Sequence, residues 1–244
     1  MGEKIIYEVL RVIDGKPIFL ENHFRRMENS FKLIGEEFSL SYEKISNAIY
    51  ELIKNEGKLE GNIKITYEVY SKELKIFFIE HSYPSKEMYE NGVKTILYFG
   101  ERENPNAKIV NDNFREKVNV EIGKNNAYEA ILIDSKGYIT EGSKSNIFMV
   151  RGNKLFTSPV NAVLPGITRG EVISLAEKLK IEVEEINYKY LDINKLDGMF
   201  ISGTSPKVLP INKVNDINLN ANDRIIRMLM EAYDNEINEY IKCH

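Results

Sequence analysis

Short apolar runs with the spacing of strands, interrupted by stretches with the spacing of helices, most constrain how this 244-residue chain can fold. Residues 4–20 combine apolar side chains of period two with the turn signal Asp14-Gly15-Lys16, which predicts a hairpin. Over 24–34 and again over 45–53, apolar residues recur every three or four positions, as on one face of a helix. Hairpins and helices that alternate in this way favour an α+β fold.

A polar stretch divides the chain near its middle. Residues 100–107, GERENPNA, contain glycine and proline and carry no apolar period, which makes them the best candidate for a linker. Strand-like runs continue beyond this stretch, together with helical runs over 114–122, 169–179 and 222–241. The pattern predicts a small α+β domain, an interdomain linker and a larger domain, with the boundaries 1–100, 101–107 and 108–244.

Composition excludes several classes of protein. With 37 acidic and 33 basic side chains the net charge is −4, which argues against a nucleic-acid binder. The single cysteine, Cys243, can form neither an internal disulfide nor a cysteine-rich zinc site, and the three histidines lie too far apart in sequence to predict a metal site. No run reaches the roughly 18 apolar residues of a membrane span, and the first residues do not resemble a signal peptide. We therefore expect a cytoplasmic protein without membrane or nucleic-acid partners.

Three polar turns at strand ends are candidates for a single site: Glu141-Gly142-Ser143, Gly166-Ile167-Thr168 and Ser202-Gly203-Thr204-Ser205. The second turn precedes a helix predicted over 169–179. Free N–H groups at a helix start attract an anion such as phosphate, although simple N-capping by Thr168 explains the same residues. Hydroxyl groups of the third turn could bind the same anion, or the turn could merely close a strand.

Three charged residues each allow two interpretations. Glu141 is either a functional hydrogen-bond acceptor or a surface residue near a bulge, and its residue type alone favours the surface. Lys108 follows the linker and is most simply a solvated charge, but partial burial beside apolar neighbours would make its amine nucleophilic. Arg26 lies on the first helix, either exposed or as a bidentate ligand of phosphate.

Taken together, these segments resemble the class IV family of pyridoxal-phosphate enzymes, which contains branched-chain aminotransferases, D-amino-acid aminotransferases and 4-amino-4-deoxychorismate lyases. The strongest match is residues 128–169, where an EG-x-x-S-N-x-F hairpin, a counterpart of the family's "TP" at Thr157-Ser158-Pro159 and the helix start LPGITR occur in the family's order. Weaker matches lie at FLENHFRRMENS, residues 19–30, and at FISGTSPKVLPI, residues 200–211. The resemblance implies a two-domain fold type IV enzyme that acts as a homodimer with pyridoxal 5'-phosphate as cofactor.

The resemblance also implies roles for individual residues. Lys108 matches the lysine that forms the Schiff base, because it lies 33 residues before Glu141 and is followed by Asn111. Glu141 matches the carboxylate that keeps the pyridine nitrogen protonated. Arg26, in the pattern His23-Phe24-Arg25-Arg26, matches the arginine that contacts the phosphate. The remaining phosphate ligands in the family correspond to the helix-start amides and one hydroxyl: Ile167, Thr168 and Thr204.

Two departures from the family pattern stand out. Most of a "GDGVFE"-like segment is missing, since the chain reaches Tyr7-Glu8 almost at once, and Asp112 replaces an apolar residue or tyrosine after Asn111. The SGT turn and the run YEVLRV at residues 7–12 favour an aminotransferase acting on a branched-chain or D-amino acid and a 2-keto acid. The alternatives are a lyase that releases 4-aminobenzoate and pyruvate from 4-amino-4-deoxychorismate, or a divergent family member with little activity.

Overall fold

The computed structural model describes residues 4–102, 105–110 and 112–244, which form two compact units. The first unit comprises Met1–Ser82, Asn106–Val110 and Asn235–His244, and the second comprises Tyr83–Pro105 and Asn111–Asp234. Both units mix helices with a sheet, so the predicted α+β class is confirmed.

The first unit is a four-stranded antiparallel sheet with two helices. In chain order its elements are β1 (Ile5–Ile13), β2 (Lys16–Pro17), α1 (Leu20–Leu33), α2 (Tyr42–Glu56), β3 (Gly61–Glu68) and β4 (Glu73–Ile79). The strands lie in the order β2-β1-β3-β4. The predicted hairpin is confirmed by the pairing of β1 with β2.

Local signals explain where the second helix begins and ends. Ser41 caps α2, since its hydroxyl accepts a hydrogen bond from the Lys44 N–H at 3.3 Å. Gly57 ends the helix with a φ of 63°, a left-handed conformation that glycine adopts without strain.

In the sequence, the apolar period of β1 runs through Ile5, Tyr7 and Val9, but the opposite face of the strand packs into the core. The core cluster contains Ile6, Leu10 and Val12 of this strand, together with apolar side chains of α1 and α2. Glu8 projects on that same face of β1 because strand residues alternate in direction, and it is fully buried there. The strand therefore carries a buried charge into the first core.

The second unit is built around a nine-stranded mixed sheet. In chain order its elements are α3 (Lys86–Asn91), β5 (Val93–Phe99), α4 (Asp112–Lys124), β6 (Glu129–Ile133), β7 (Ile139–Gly142), β8 (Asn146–Arg151), β9 (Lys154–Thr157), α5 (Ile167–Lys178), β10 (Glu182–Glu185), β11 (Gly198–Gly203), β12 (Lys207–Val214), β13 (Ile217–Asn218) and the first part of α6 (Arg224–Cys243), whose residues 235–243 belong to the first unit. Two 3-10 helices, Val160–Ala162 and Tyr190–Lys195, interrupt this order. The strands lie in the order β10-β9-β8-β11-β12-β5-β6-β7, with β13 beside β12.

The central strands of this sheet are buried on both faces. Every residue of β6 is buried, and β8 is exposed only at Arg151. Phe148 and Phe200 stack with ring centroids 5.0 Å apart on neighbouring strands. These apolar strands form the scaffold from which the polar turns project.

The two units differ from the predicted domain ranges. The strand β5, expected to end the small domain, pairs in parallel with β6 and β12 and so belongs to the second unit. Residues 106–110 run beside β1, where the Tyr7 N–H donates to the Lys108 carbonyl at 3.1 Å and Ile6 bridges Ile109. A polar stretch indicates where the chain leaves one element, but it does not show which strands will pair.

The helix α3 and both 3-10 helices were not predicted, because each is only six residues long or shorter. Among the residues that the structure describes, no helix is both long and apolar enough to cross a membrane.

Candidate active site

The Glu141 carboxylate is buried in the second unit rather than exposed at the surface. It lies on β7, with 3% of the residue's surface exposed. Its Oε1 lies 3.2 Å from Nη1 of Arg102, and its Oε2 accepts a hydrogen bond from the Leu164 N–H at 3.1 Å. The surface interpretation of Glu141 is therefore wrong, and the carboxylate is held on both oxygens.

A second buried carboxylate, that of Glu129, supports the turn next to Glu141. Its Oε1 accepts hydrogen bonds from the Lys144 N–H at 2.7 Å and from the Ser145 hydroxyl at 2.9 Å. Burial raises the pKa of Glu129, and the nearby charge of Glu141 raises it further, while the two hydrogen bonds oppose both effects. Sequence analysis missed this residue because a glutamate at the start of a strand carries no sign of burial.

Gly142 allows the turn to pass over Glu129. A Cβ at this position would overlap Oε1 of Glu129 and Oγ of Ser145. The glycine of the Glu141-Gly142-Ser143 turn is thus required for close approach rather than for an unusual backbone angle.

The helix α5 begins earlier than predicted. Gly166 is its N-cap, no side chain caps it, and Ile167 and Thr168 lie inside its first turn. N-capping by Thr168 is therefore wrong, and its hydroxyl instead lies 3.2 Å from the hydroxyl of Tyr233. The first N–H groups of a helix have no partner within the helix, so those of Ile167 and Thr168 are suited to an anion.

Asn146 contacts the loop that leads into this helix, and a buried hydroxyl, that of Ser202, lies opposite it on the neighbouring strand. Asn146 donates from Nδ2 to the Leu164 carbonyl at 2.9 Å, and a Cβ on Gly166 would overlap its Oδ1. Ser202 lies opposite Asn146 on the neighbouring strand, and its Oγ is buried without a hydrogen-bond partner among the described residues. Thr204 follows one residue after the end of β11. An uncapped helix start beside a buried, unsatisfied hydroxyl suits an oxygen-rich anion.

Ser143, in the turn beside Glu141, has a similar environment. Its Oγ is buried and, within the part of the chain that the structure describes, has no hydrogen-bond partner. Ser143 and Ser202 were named only as members of polar turns, since the sequence does not show which hydroxyls of a turn are left unsatisfied.

Arg26 is buried in the first unit and is not exposed on its helix. Its Nε donates to Oε1 of Glu8 at 2.8 Å, and its Nη2 donates to Oε2 at 2.6 Å, which is a bidentate pair. Nδ1 of His23 lies 2.8 Å from the same Oε2. The exposed-arginine interpretation is wrong, and Glu8, which sequence analysis did not assign a role, fixes the guanidinium in one plane.

The ionisation of this buried cluster is set by opposing effects. Burial by itself raises the pKa of Glu8, but the charge of Arg26 and the hydrogen bonds from Arg26 and His23 hold that pKa well below its usual range. Burial lowers the pKa of His23, and this effect exceeds the opposing influence of Glu8. The cluster is thus best described as a carboxylate and a guanidinium beside a neutral imidazole at pH 7.

Lys108 lies in the first unit, in the segment that runs beside β1. Its Nζ lies 4.9 Å from the centroid of the Tyr7 ring. Its backbone N–H donates to the Ser30 hydroxyl at 3.3 Å, and that hydroxyl donates to the carbonyl of Arg26 at 3.0 Å. The backbone of Lys108 is therefore joined to the helix that carries Arg26. Asn111 and the side chain of Asp112 lie outside what the structure describes.

The predicted site residues thus fall into two groups. The first unit contains Arg26 and Lys108, and the second contains Glu141, Ile167, Thr168 and Thr204. Within the second unit, Glu141 and the start of α5 are joined through one loop, because Leu164 donates to Glu141 two residues before Gly166.

Comparison with known proteins yields several relatives. The chain is 28% identical over 216 residues to the probable branched-chain-amino-acid aminotransferase of Thermotoga maritima, a match that covers 86% of this chain and 77% of that protein. The structure resembles the putative 4-amino-4-deoxychorismate lyase of Legionella pneumophila, with a TM-score of 0.87, 23% identity, and coverage of 96% of this chain and 91% of that one.

A second solved structure is the branched-chain amino acid aminotransferase of Escherichia coli. It has a TM-score of 0.86 and 24% identity, and the match covers 96% of this chain and 86% of that one. At these identities the two structures establish the fold, which confirms the predicted fold type IV. The family itself follows from a sequence profile that matches residues 5–214, most of the chain. The chain therefore belongs to the amino-transferase class IV family.

Proposed function

We propose that the protein is a pyridoxal-phosphate-dependent aminotransferase that moves an amino group between an amino acid and a 2-keto acid. Membership of the class IV family supports the reaction type. The assignment of the cofactor depends mainly on two features of the second unit: the uncapped start of α5 and the buried, unsatisfied hydroxyl of Ser202. These groups fit a phosphate monoester, because among the described residues no side chain caps the start of α5 and the Ser202 hydroxyl makes no hydrogen bond.

By the motifs of the family, four residues would bind the phosphate: Arg26, Ile167, Thr168 and Thr204. Arg26 donates from Nε and Nη2 to Glu8, which holds its guanidinium in a fixed plane. Ile167 and Thr168 offer their backbone N–H groups, and Thr204 offers its hydroxyl.

Lys108 would act at the aldehyde carbon of the cofactor, and Glu141 would act at its ring nitrogen. When bound, pyridoxal phosphate takes the amino group from one substrate and gives it to another. Nζ of Lys108 would hold the cofactor covalently and, once released, move the proton at the substrate Cα. The Glu141 carboxylate would hold a proton at the ring nitrogen, a role for which a buried anion is suited.

Trapping the cofactor tests the role of Lys108. The protein reconstituted with pyridoxal phosphate should gain a visible absorbance band that changes when an amino acid is added, and borohydride should fix the label on the peptide that contains Lys108. K108A should lose the label. K64A is the matched control, because Nζ of Lys64 also lies over the Tyr7 ring, at 5.5 Å from its centroid. A label on another lysine, or a protein that cannot be reconstituted, would refute the proposal.

A substrate screen tests the reaction. Keto-acid formation from branched-chain or D-amino acids is the expected result, and 4-amino-4-deoxychorismate is included in the screen. Release of 4-aminobenzoate and pyruvate would assign the chain to the lyases of the family instead. Absorbance that does not respond to any amino acid would indicate an inactive relative.

We also propose that the enzyme is a homodimer in the cytoplasm. The family resemblance supports the dimer, and the single exposed thiol, Cys243, suits a reducing compartment. Sedimentation should show a dimer at micromolar concentration, and cell fractionation should recover the protein with cytoplasmic markers. A monomer by sedimentation would contradict the first part of this proposal, and recovery outside the cytoplasm would contradict the second.

A further inference from the structure

Arg102 contacts the carboxylate of Glu141, and neither the family profile nor the motifs assign it a role. Its Nη1 lies 3.2 Å from Oε1 of Glu141, and 15% of its side-chain surface is exposed, against 3% for Glu141. Two charges in contact with little water between them interact more strongly than a surface pair. Arg102 therefore affects the electrostatics of Glu141 directly.

From this contact we infer that Arg102 is a positioning residue that sets how tightly Glu141 shares a proton with the ring nitrogen of the cofactor. The inference rests on the role of Glu141 in the proposed function. A guanidinium beside a carboxylate stabilises the anion and weakens its hold on a proton. Arg102 thus lowers the affinity with which Glu141 and the ring nitrogen hold the proton between them.

Three other groups near Glu141 act on this cluster differently from Arg102. Glu129 is a buried carboxyl whose raised pKa reflects burial first and the charge of Glu141 as well. Lys144 donates its backbone N–H to Glu129, and its positive charge also lowers the pKa of Glu129. The Leu164 N–H orients Oε2 of Glu141 but carries no net charge. Arg102 brings a full positive charge into hydrogen-bonding contact with Glu141.

The geometry also separates the effect of charge from that of shape. Arg102 bonds one oxygen of Glu141, and Leu164 bonds the other, so loss of Arg102 removes one of these two anchors. A neutral side chain of similar length removes the charge. A lysine restores the charge without the planar fork of arginine.

The test is the protonation midpoint of the cofactor ring nitrogen, measured by nitrogen-15 NMR on protein reconstituted with labelled pyridoxal phosphate. We expect R102Q to raise the midpoint by about one to three pH units, the range typical for one cation beside a carboxylate. R102K should remain close to the wild type. R151Q serves as the control, because Arg151 is exposed at the end of β8.

E141Q distinguishes the failure of this inference from failure of the proposed function. If E141Q changes the midpoint and R102Q does not, Arg102 has no such role and the inference is overturned. If E141Q has no effect, the role of Glu141 falls and this inference falls with it, whereas trapping at Lys108 still tests the enzyme.

A further variant removes the risk that R102Q simply misfolds. R102A is titrated with and without added guanidinium ion, which can occupy the vacated volume. Return of the midpoint toward the wild-type value supports a role through charge. If the circular dichroism of R102Q and R102A both indicate unfolding, or if guanidinium has no effect on the midpoint, Arg102 is a structural residue and the inference is overturned.

Discussion

The substitution Glu8→Gln tests whether the buried cluster in the first unit is held by charge. Glu8 accepts two hydrogen bonds from Arg26, at 2.8 and 2.6 Å, and makes a third contact with His23 at 2.8 Å. Glutamine has nearly the same shape but brings an NH₂ group and no charge. One of its two terminal atoms must face the donors of Arg26 as a donor itself, so at least one bond is lost.

The expected cost follows from the burial of both partners. Removal of one member of a buried ion pair leaves an uncompensated charge and costs about 3–5 kcal/mol. In a chain of this size, 1 kcal/mol shifts the melting temperature by roughly 2–4 °C, so the loss should amount to about 6–20 °C.

Urea unfolding followed by circular dichroism measures this loss, and tyrosine fluorescence offers a second signal because the chain has 14 tyrosines and no tryptophan. E73Q is the matched control in the same unit, since Glu73 forms an exposed pair with Lys75 at 3.0 Å. E73Q should leave the urea midpoint nearly unchanged, because exposed pairs contribute little. A loss below about 1 kcal/mol for E8Q would refute the reasoning, since a buried pair costs more than this to break.

The same cluster predicts a dependence on pH. Arg26 and His23 hold the pKa of Glu8 below its ordinary value of 4.5 in the folded state, despite burial. The stability that Glu8 contributes is therefore complete above that value and is lost as the pH falls below it. E8Q lacks this group, so its deficit relative to the wild type should shrink in acid. A deficit that stays constant from neutral pH to pH ~3 would contradict the assignment, because ordinary carboxyl groups titrate within that interval.

Three further predictions concern the second unit. Gly142→Ala should lower the free energy of unfolding in urea by about 1–3 kcal/mol, because its methyl group overlaps the buried turn. A methyl group at Gly170 in α5 meets no atom within 4 Å, so Gly170→Ala should stabilise the protein slightly. Equal effects of the two variants would contradict the close approach at Gly142. Burial raises the pKa of Glu129 in the folded protein. The stability that Glu129 contributes is therefore complete below the pKa of the unfolded chain and is lost as the pH rises through the pKa of the folded protein. E129Q should accordingly lower the free energy of unfolding more at pH ~4 than at pH ~8. The reverse order would refute that direction. Ser202→Ala should not reduce the stability of the cofactor-free protein, because the Ser202 hydroxyl lacks a hydrogen-bond partner among described residues, whereas Ser158→Ala should cost about 1 kcal/mol, since it removes a buried hydrogen bond of 2.8 Å.

Features that depend on neighbouring residues in sequence could be predicted. The hairpin at Asp14-Gly15-Lys16 and the ends of α2 at Ser41 and Gly57 follow from turn and capping chemistry that operates over a few residues. The family could be inferred because its motifs are contiguous, as in residues 128–169. Each of these signals lies within one segment, so the sequence contains it in full.

The candidate site was predicted less completely. Its motif residues were named, but Thr168 was expected as an N-cap and Glu141 and Arg26 had exposed alternatives, each of which the structure excludes. Glu8 and Glu129 were not assigned a role at all. A charged side chain has the same identity whether it is solvated or buried, so burial cannot be determined from residue type.

By itself the amino-acid sequence determined the class of fold, the family and the short turns that carry the polar residues. Only the tertiary structure decided that β5 joins the larger sheet, that Glu8 pairs with Arg26 across 18 positions and that Arg102 meets Glu141 across 39. Such contacts depend on which distant strands pair and which side chains are thereby removed from water. That choice is made by the packing of the whole chain, so no local pattern contains it.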